Sequence, residues 1–169
     1  MASTAAATTP IRVKKLGHFV YEVSDIERST RFWTEIMGFQ VSDRNERGMV
    51  FLRNAGDHHS IGLVPTTKKA RPESESGLRF NHLAMEVADV DVLFKAREFL
   101  KEHGCNLTFE GRKGPGGNVG IEFEDPDGYC FELYADMDQI GTDGHSRPSE
   151  EWNRVKSLEE AIEKPLPRR

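Results

Sequence analysis

Over residues 15–23, apolar side chains at Leu16, Phe19, Tyr21 and Val23 are interspersed with polar ones, the pattern of a strand with one buried face. Asp25 stands where a helix N-cap belongs. Ile26, Ser29, Phe32, Trp33 and Ile36 then recur at helical spacing, and Gly38 closes the element as a C′ glycine. Segments 39–44, 49–53 and 58–64 are short, apolar and bounded by turn residues, so they read as three strands. Together they make one β-α-β-β-β unit. The same order then repeats: a strand over 80–87, a cap at Asp89, and a buried stripe of Val92, Leu93, Ala96, Phe99 and Leu100. Gly104 is the stop, and strands over 105–110, 120–124 and 129–135 complete the copy.

The repeat is also one of residues. Gly17-His18-Phe19-Val20-Tyr21-Glu22-Val23-Ser24-Asp25 returns 64 residues later as Asn81-His82-Leu83-Ala84-Met85-Glu86-Val87-Ala88-Asp89, with His, Glu, Val and Asp in register. The polar, charged stretch 66–77, broken by Pro72, reads as a linker. The glycine-rich stretch 111–117 reads as a second flexible loop. It lacks the P-loop pattern and precedes a strand, so it is no phosphate cradle. Asp125-Pro126-Asp127-Gly128 reads as a turn. The predicted organisation is a disordered leader over 1–12 and one domain over 13–138, with module one at 13–65 and module two at 78–138. A polar, partly helical tail follows at 139–169. In the tail, Trp152, Val155, Leu158 and Ile162 form an apolar stripe suited to packing on the domain or a partner subunit, and Ser157 with Glu160 forms a capping box.

Composition narrows the class. At 37% hydrophobic and 30% charged residues the chain has the balance of a soluble globular protein, and its net charge of −5 argues against nucleic acid or an anionic membrane as main partner. No apolar run approaches the ~20 residues that span a bilayer. Two cysteines, Cys105 and Cys130, argue against a disulfide framework and point to a cytoplasmic protein.

A repeat that carries a histidine at the same point twice puts two imidazoles in equivalent positions, able to converge if the modules face each other. Glu132 lies among Phe131, Leu133 and Tyr134, where a carboxylate is costly to bury unless paired or bound to a cation. Each histidine taken alone also fits a hydrogen-bonded core residue. Two histidines and one carboxylate, however, form the facial set that leaves three positions open on six-coordinate Fe(II).

The motifs LGHFVYEVSD, FNHLAMEVAD and DPDGYCFELYAD resemble the ligand-bearing strands of the vicinal oxygen chelate superfamily. That superfamily contains glyoxalase I, methylmalonyl-CoA epimerase, fosfomycin and bleomycin resistance proteins and type I extradiol dioxygenases. The resemblance implies an α+β fold of paired β-α-β-β-β modules, their mixed sheet curled into a cup with flanking helices. It implies His18, His82 and Glu132 as metal ligands.

Within the superfamily the resemblance favours the extradiol branch, because the position aligned with the glyoxalases' additional Glu or Gln ligand is Gly62. The Asp57-His58-His59-Ser60 segment is similar to the dioxygenases' His-His-Thr/Ser, which implies His59 as acid/base, its unperturbed pKa being near ~6.5. Strand alternation alone lets either His58 or His59 face inward. Where those enzymes usually carry a tyrosine, this chain has Glu122, which alters both charge and hydrogen bonding beside the substrate. The implied function is an Fe(II) extradiol-type dioxygenase taking a catecholic substrate and dioxygen, the ligand set also accepting Mn, Co, Ni or Zn. The alternatives are a redox-neutral lyase, isomerase or glyoxalase-like enzyme and, in another class, a drug-binding resistance protein. Cup-lining candidates Val20, Ala84, Glu122 and Tyr134 do not name a substrate, and a homo-oligomer is left open.

Overall fold

The computed structural model describes residues 14–68, 80–140 and 144–167. The leader expected over 1–12 lies outside them, as does the linker beyond residue 68.

Each module folds as read, into its own four-stranded mixed sheet. In the first, β1 (Phe19–Val23), β2 (Gln40–Arg44), β3 (Val50–Arg53) and β4 (Ile61–Pro65) lie in the order β1-β4-β3-β2, with β1 and β4 parallel. In the second, β5 (Leu83–Glu86), β6 (Leu107–Gly111), β7 (Val119–Glu124) and β8 (Cys130–Ala135) repeat that order as β5-β8-β7-β6. The two sheets are separate, so the expected cup is not closed as one continuous sheet.

The first helix, α1 (Ile26–Arg31), starts at Asp25, whose carboxylate accepts from the backbone N–H groups of Glu27 and Arg28. It continues into a π-helical turn over Phe32–Ile36, where Met37 N–H donates to the Phe32 carbonyl at 3.1 Å. That turn buries Phe32 and Trp33 side by side. Trp33 meets Phe131 edge-on at 5.1 Å and Phe32 lies 6.4 Å from Phe123, so the helix of module one seats its aromatic face on the sheet of module two. A second tie runs through Tyr21. Its hydroxyl accepts from Trp33 Nε1 at 2.8 Å and donates to Asp125 Oδ2 at 2.9 Å. The turn at Asp125 to Gly128 thereby latches the modules, aided by an ion pair from Arg28 to Asp127.

Four expectations need correcting. The strands begin later than their apolar patterns: β1 starts at Phe19, β4 at Ile61 and β5 at Leu83, so His18, His58, His59 and His82 all precede strands. Hence strand alternation does not decide how His58 and His59 face. On α2 (Val90–Glu102) Phe99 is 39% exposed and stacks on His103, while Phe94 packs against the core instead. Ile162, on α3 (Leu158–Glu163), is likewise exposed, and Ala161 is the buried residue there.

The fourth correction concerns the loop over 111–117, which is clamped rather than loose. Arg112 is buried and its guanidinium donates to the carbonyls of Gly117, Asn153, Ala161 and Lys164. Its backbone pairs with Val155 in both directions, at 3.0 and 3.1 Å. The tail therefore packs on its own domain, with Val155 and Leu158 in the core. Among the described residues no helix is long and apolar enough to cross a membrane.

Candidate metal centre

The antiparallel pairing of β7 with β8 sets Glu122 directly opposite Glu132, both on the sheet face turned away from the Phe123 and Phe131 core. His82, immediately before β5, reaches the same point. Its Nε2 is 3.2 Å from Glu132 Oε2, and its Nδ1 is 3.8 Å from Glu122 Oε1. Donor atoms of these three side chains all lie within 4.8 Å of one another. The chain does not bring His18 into that group. His18 is exposed, its ring 4.6 Å from that of His59.

The donors are held from behind. His82 Nδ1 is 2.6 Å from Asn81 Oδ1; donating there leaves Nε2, which faces Glu132 Oε2, as the nitrogen able to bind a metal once it is deprotonated. Asn118 Nδ2 donates to Glu132 Oε1 at 3.2 Å, leaving Oε2 as the free donor. A Cβ at Gly120 would lie 2.5 Å from Glu132 Oε1, so glycine there makes the cradle that admits the carboxylate. Lys113, from the clamped loop, forms an ion pair with Glu122 Oε1 and lies over the Phe109 ring.

These contacts suit a divalent cation. Like charges directly opposite on neighbouring strands destabilise a sheet, and two buried carboxylates raise that cost. Burial pushes the Glu132 carboxyl above its ordinary range. His82 opposes the shift, and the charge of Glu122 adds to it. The spacing of 3.2 Å between His82 Nε2 and Glu132 Oε2 matches two adjacent ligands on one ion with bonds of about 2.0–2.2 Å. The donor set therefore fits a metal.

The first module contributes differently. Gly62 pairs with Val20 across β1 and β4, and a Cβ on Gly62 would meet Val20 Cγ2 at 3.0 Å. Thus β4 offers no side-chain ligand at that position. His59 is half-buried between His18 and Phe51, whereas His58 is exposed, 3.7 Å from Asp43. Burial, then the charges of His18 and His58, hold the His59 imidazole below its ordinary value.

Sequence reasoning missed Asn81, Asn118 and Lys113. Only Asn81 carried a signal, since it fills the repeat position held by Gly17 in the first copy.

Residues 15–133 match the family described as the Glyoxalase/Bleomycin resistance protein/Dioxygenase superfamily. The chain belongs to this superfamily. A probable lactoylglutathione lyase of Vibrio parahaemolyticus is 30% identical over 122 residues, covering 69% of this chain and 86% of that protein. A manganese-dependent 2,3-dihydroxybiphenyl 1,2-dioxygenase of Geobacillus genomosp. 3 is 28% identical over 75% of this chain, which spans 38% of the dioxygenase. Lactoylglutathione lyases recur among the relatives, from bacteria and from plants. In three dimensions, a glyoxalase/dioxygenase from Nostoc punctiforme superposes with a TM-score of 0.59 at 20% identity, covering 79% of this chain and 98% of that one. The superfamily and its fold are thereby shown, and His82, Glu122 and Glu132 form a donor group able to hold a metal ion.

Proposed function

We propose that the protein is a metal-dependent, redox-neutral lyase or isomerase of this superfamily, acting on a small substrate that chelates through neighbouring oxygens. The observation that carries this reading is Glu122, a second carboxylate facing the His82–Glu132 pair. A bound divalent cation supplies Lewis-acid polarisation of a substrate oxygen. His82 and Glu132 would hold it through Nε2 and Oε2, with Asn81 and Asn118 orienting those atoms. With Oε1 paired to Lys113, the other oxygen of Glu122 would act as the base that takes a proton from the substrate carbon and returns it to a neighbouring one. The recurrence of lactoylglutathione lyases among the relatives supports the same class.

We assign His18, at the matched repeat position, as the third ligand. It is exposed and stands apart from His82 and Glu132 in this structure, so it would complete the site either from a second copy or by a shift of the segment before β1. Mixing His18→Ala with Glu132→Ala protein distinguishes the two: activity regained on mixing means that sites are shared between copies.

Gly62 favours a second reading. Without a fourth side-chain ligand from β4, the metal keeps open positions of the kind an extradiol dioxygenase uses, with His59 near His18 as acid/base. The test loads the protein separately with Mn(II), Ni(II), Zn(II) or, without air, Fe(II). It then follows S-lactoylglutathione formation from glutathione and methylglyoxal, and oxygen uptake with a panel of catechols. Turnover without oxygen uptake, lost in His82→Ala, is expected. Oxygen uptake with a catechol, lost in the same variant, would replace this reading with ring cleavage.

A further inference from the structure

Lys113 is unusual in how it is held. It sits in the middle of a glycine-rich loop, yet the C-terminal segment grips that loop on both sides of it. On one side the Arg112 backbone pairs with Val155. At Lys113 itself, the backbone carbonyl accepts from Arg154 Nε at 3.0 Å. On the other side Gly114, at φ +126°, lies against Trp152, where a Cβ would come within 2.6 Å of the ring. Arg154 in turn stacks over Trp152 at 4.7 Å. The side chain of Lys113 runs over Phe109 to Glu122 Oε1.

From this geometry we infer that the C-terminal segment is a positioning arm of the metal centre: it aims Lys113 at Glu122 and so keeps that carboxylate out of the metal's coordination sphere. The inference rests on the metal-centre reading above and extends it to a part of the chain far from the site in sequence. Glu122 has the burial and the distance to become a ligand, being within 4.8 Å of both His82 and Glu132. As a ligand it would add an anionic donor, tighten the metal and cease to be available as a base. The ammonium of Lys113 opposes this by holding Oε1 and offsetting the charge of the carboxylate. Its position is set by tail contacts to its own backbone and to the residues on either side. Lys113 and Arg154 are therefore positioning residues, acting through Glu122.

The test is metal affinity and ligand number, read with Co(II) by titration and by its visible d–d spectrum. Lys113→Met should bind Co(II) about tenfold more tightly, with a spectrum showing higher coordination, since affinity follows the number of charged ligands. Lys113→Arg should behave as wild type. Lys113→Met combined with Glu122→Gln should return the affinity and spectrum to wild type. Arg154→Met should shift both in the same direction as Lys113→Met, by less, and should add nothing in the Lys113→Met background. A merely structural arm would change thermal stability and leave the spectrum alone. Overturning results are an unchanged spectrum in Lys113→Met, or an Arg154→Met effect that persists without Lys113. If the wild-type protein binds no Co(II), the metal-centre reading falls and this inference with it. Wild-type binding with no Lys113 effect sinks this inference alone.

Discussion

Glu122 stands across from Glu132 in the β7–β8 pairing, and His82 Nε2 closes the gap at 3.2 Å from Glu132 Oε2. Two buried carboxylates in this relation make the folded state a cation trap. A divalent metal at 100 times its dissociation constant should add about 2.7 kcal/mol to the unfolding free energy. Differential scanning fluorimetry with and without Mn(II) measures this. The upward shift should vanish in His82→Ala and in Glu132→Ala. An equal shift in either variant places the metal elsewhere.

The groups behind the donors set the affinity. Asn118→Ala frees Glu132 to rotate, and Asn81→Ala releases the His82 tautomer, so each should weaken metal binding by about 10–100-fold. Gly120→Ala should do the same by a different route, its methyl group displacing Glu132 Oε1. Gly120 does not occupy the left-handed region, so the effect is steric at the carboxylate and not a backbone penalty. Isothermal titration of the three variants with Mn(II) checks this, and wild-type affinity in all three would refute it.

How much of this was legible follows from what is local. Alternating strands, the caps at Asp25 and Asp89 and the stops at Gly38 and Gly104 are written in neighbouring residues, so both modules could be read from the chain. The repeat marked His82, and the apolar setting of Glu132 marked the carboxylate. The role of Lys113 was not legible, because its partner Glu122 is supplied by another strand and its rigidity by Arg154 and Val155, far along the chain. In sequence, a lysine among glycines looks like a solvated loop. The π turn at Phe32 was hidden for another reason: a single widened turn leaves the helical spacing of Phe32, Trp33 and Ile36 intact.

Tyr21 joins the modules through one oxygen, accepting from Trp33 and donating to Asp125. Tyr21→Phe removes that oxygen and leaves a buried indole N–H without a partner. The loss should be about 1–3 kcal/mol of unfolding free energy, the cost of one unsatisfied buried donor. Urea denaturation reads it directly. A variant as stable as wild type would mean that water or a rearranged side chain takes the place of the hydroxyl.

Asp125 makes the same junction sensitive to pH. Burial raises its carboxyl above the ordinary value, outweighing the hydrogen bonds from Tyr129 N–H, Tyr21 and Asp127 N–H that favour the charged form. The folded protein therefore holds this proton more tightly than the unfolded chain, whose aspartates release it near ~3.9. Stability from this group is fully present below that value and is lost as pH rises through the higher folded value. Other carboxylates, such as Asp25, are shifted downward and contribute the opposite slope, so the wild-type curve alone does not isolate Asp125. The informative quantity is the difference in unfolding free energy between wild type and Asp125→Asn, which keeps an oxygen acceptor but cannot ionise. That difference should move in favour of the variant as pH rises from ~4 toward neutrality. A difference that stays constant across this range would show that Asp125 is not the group responsible.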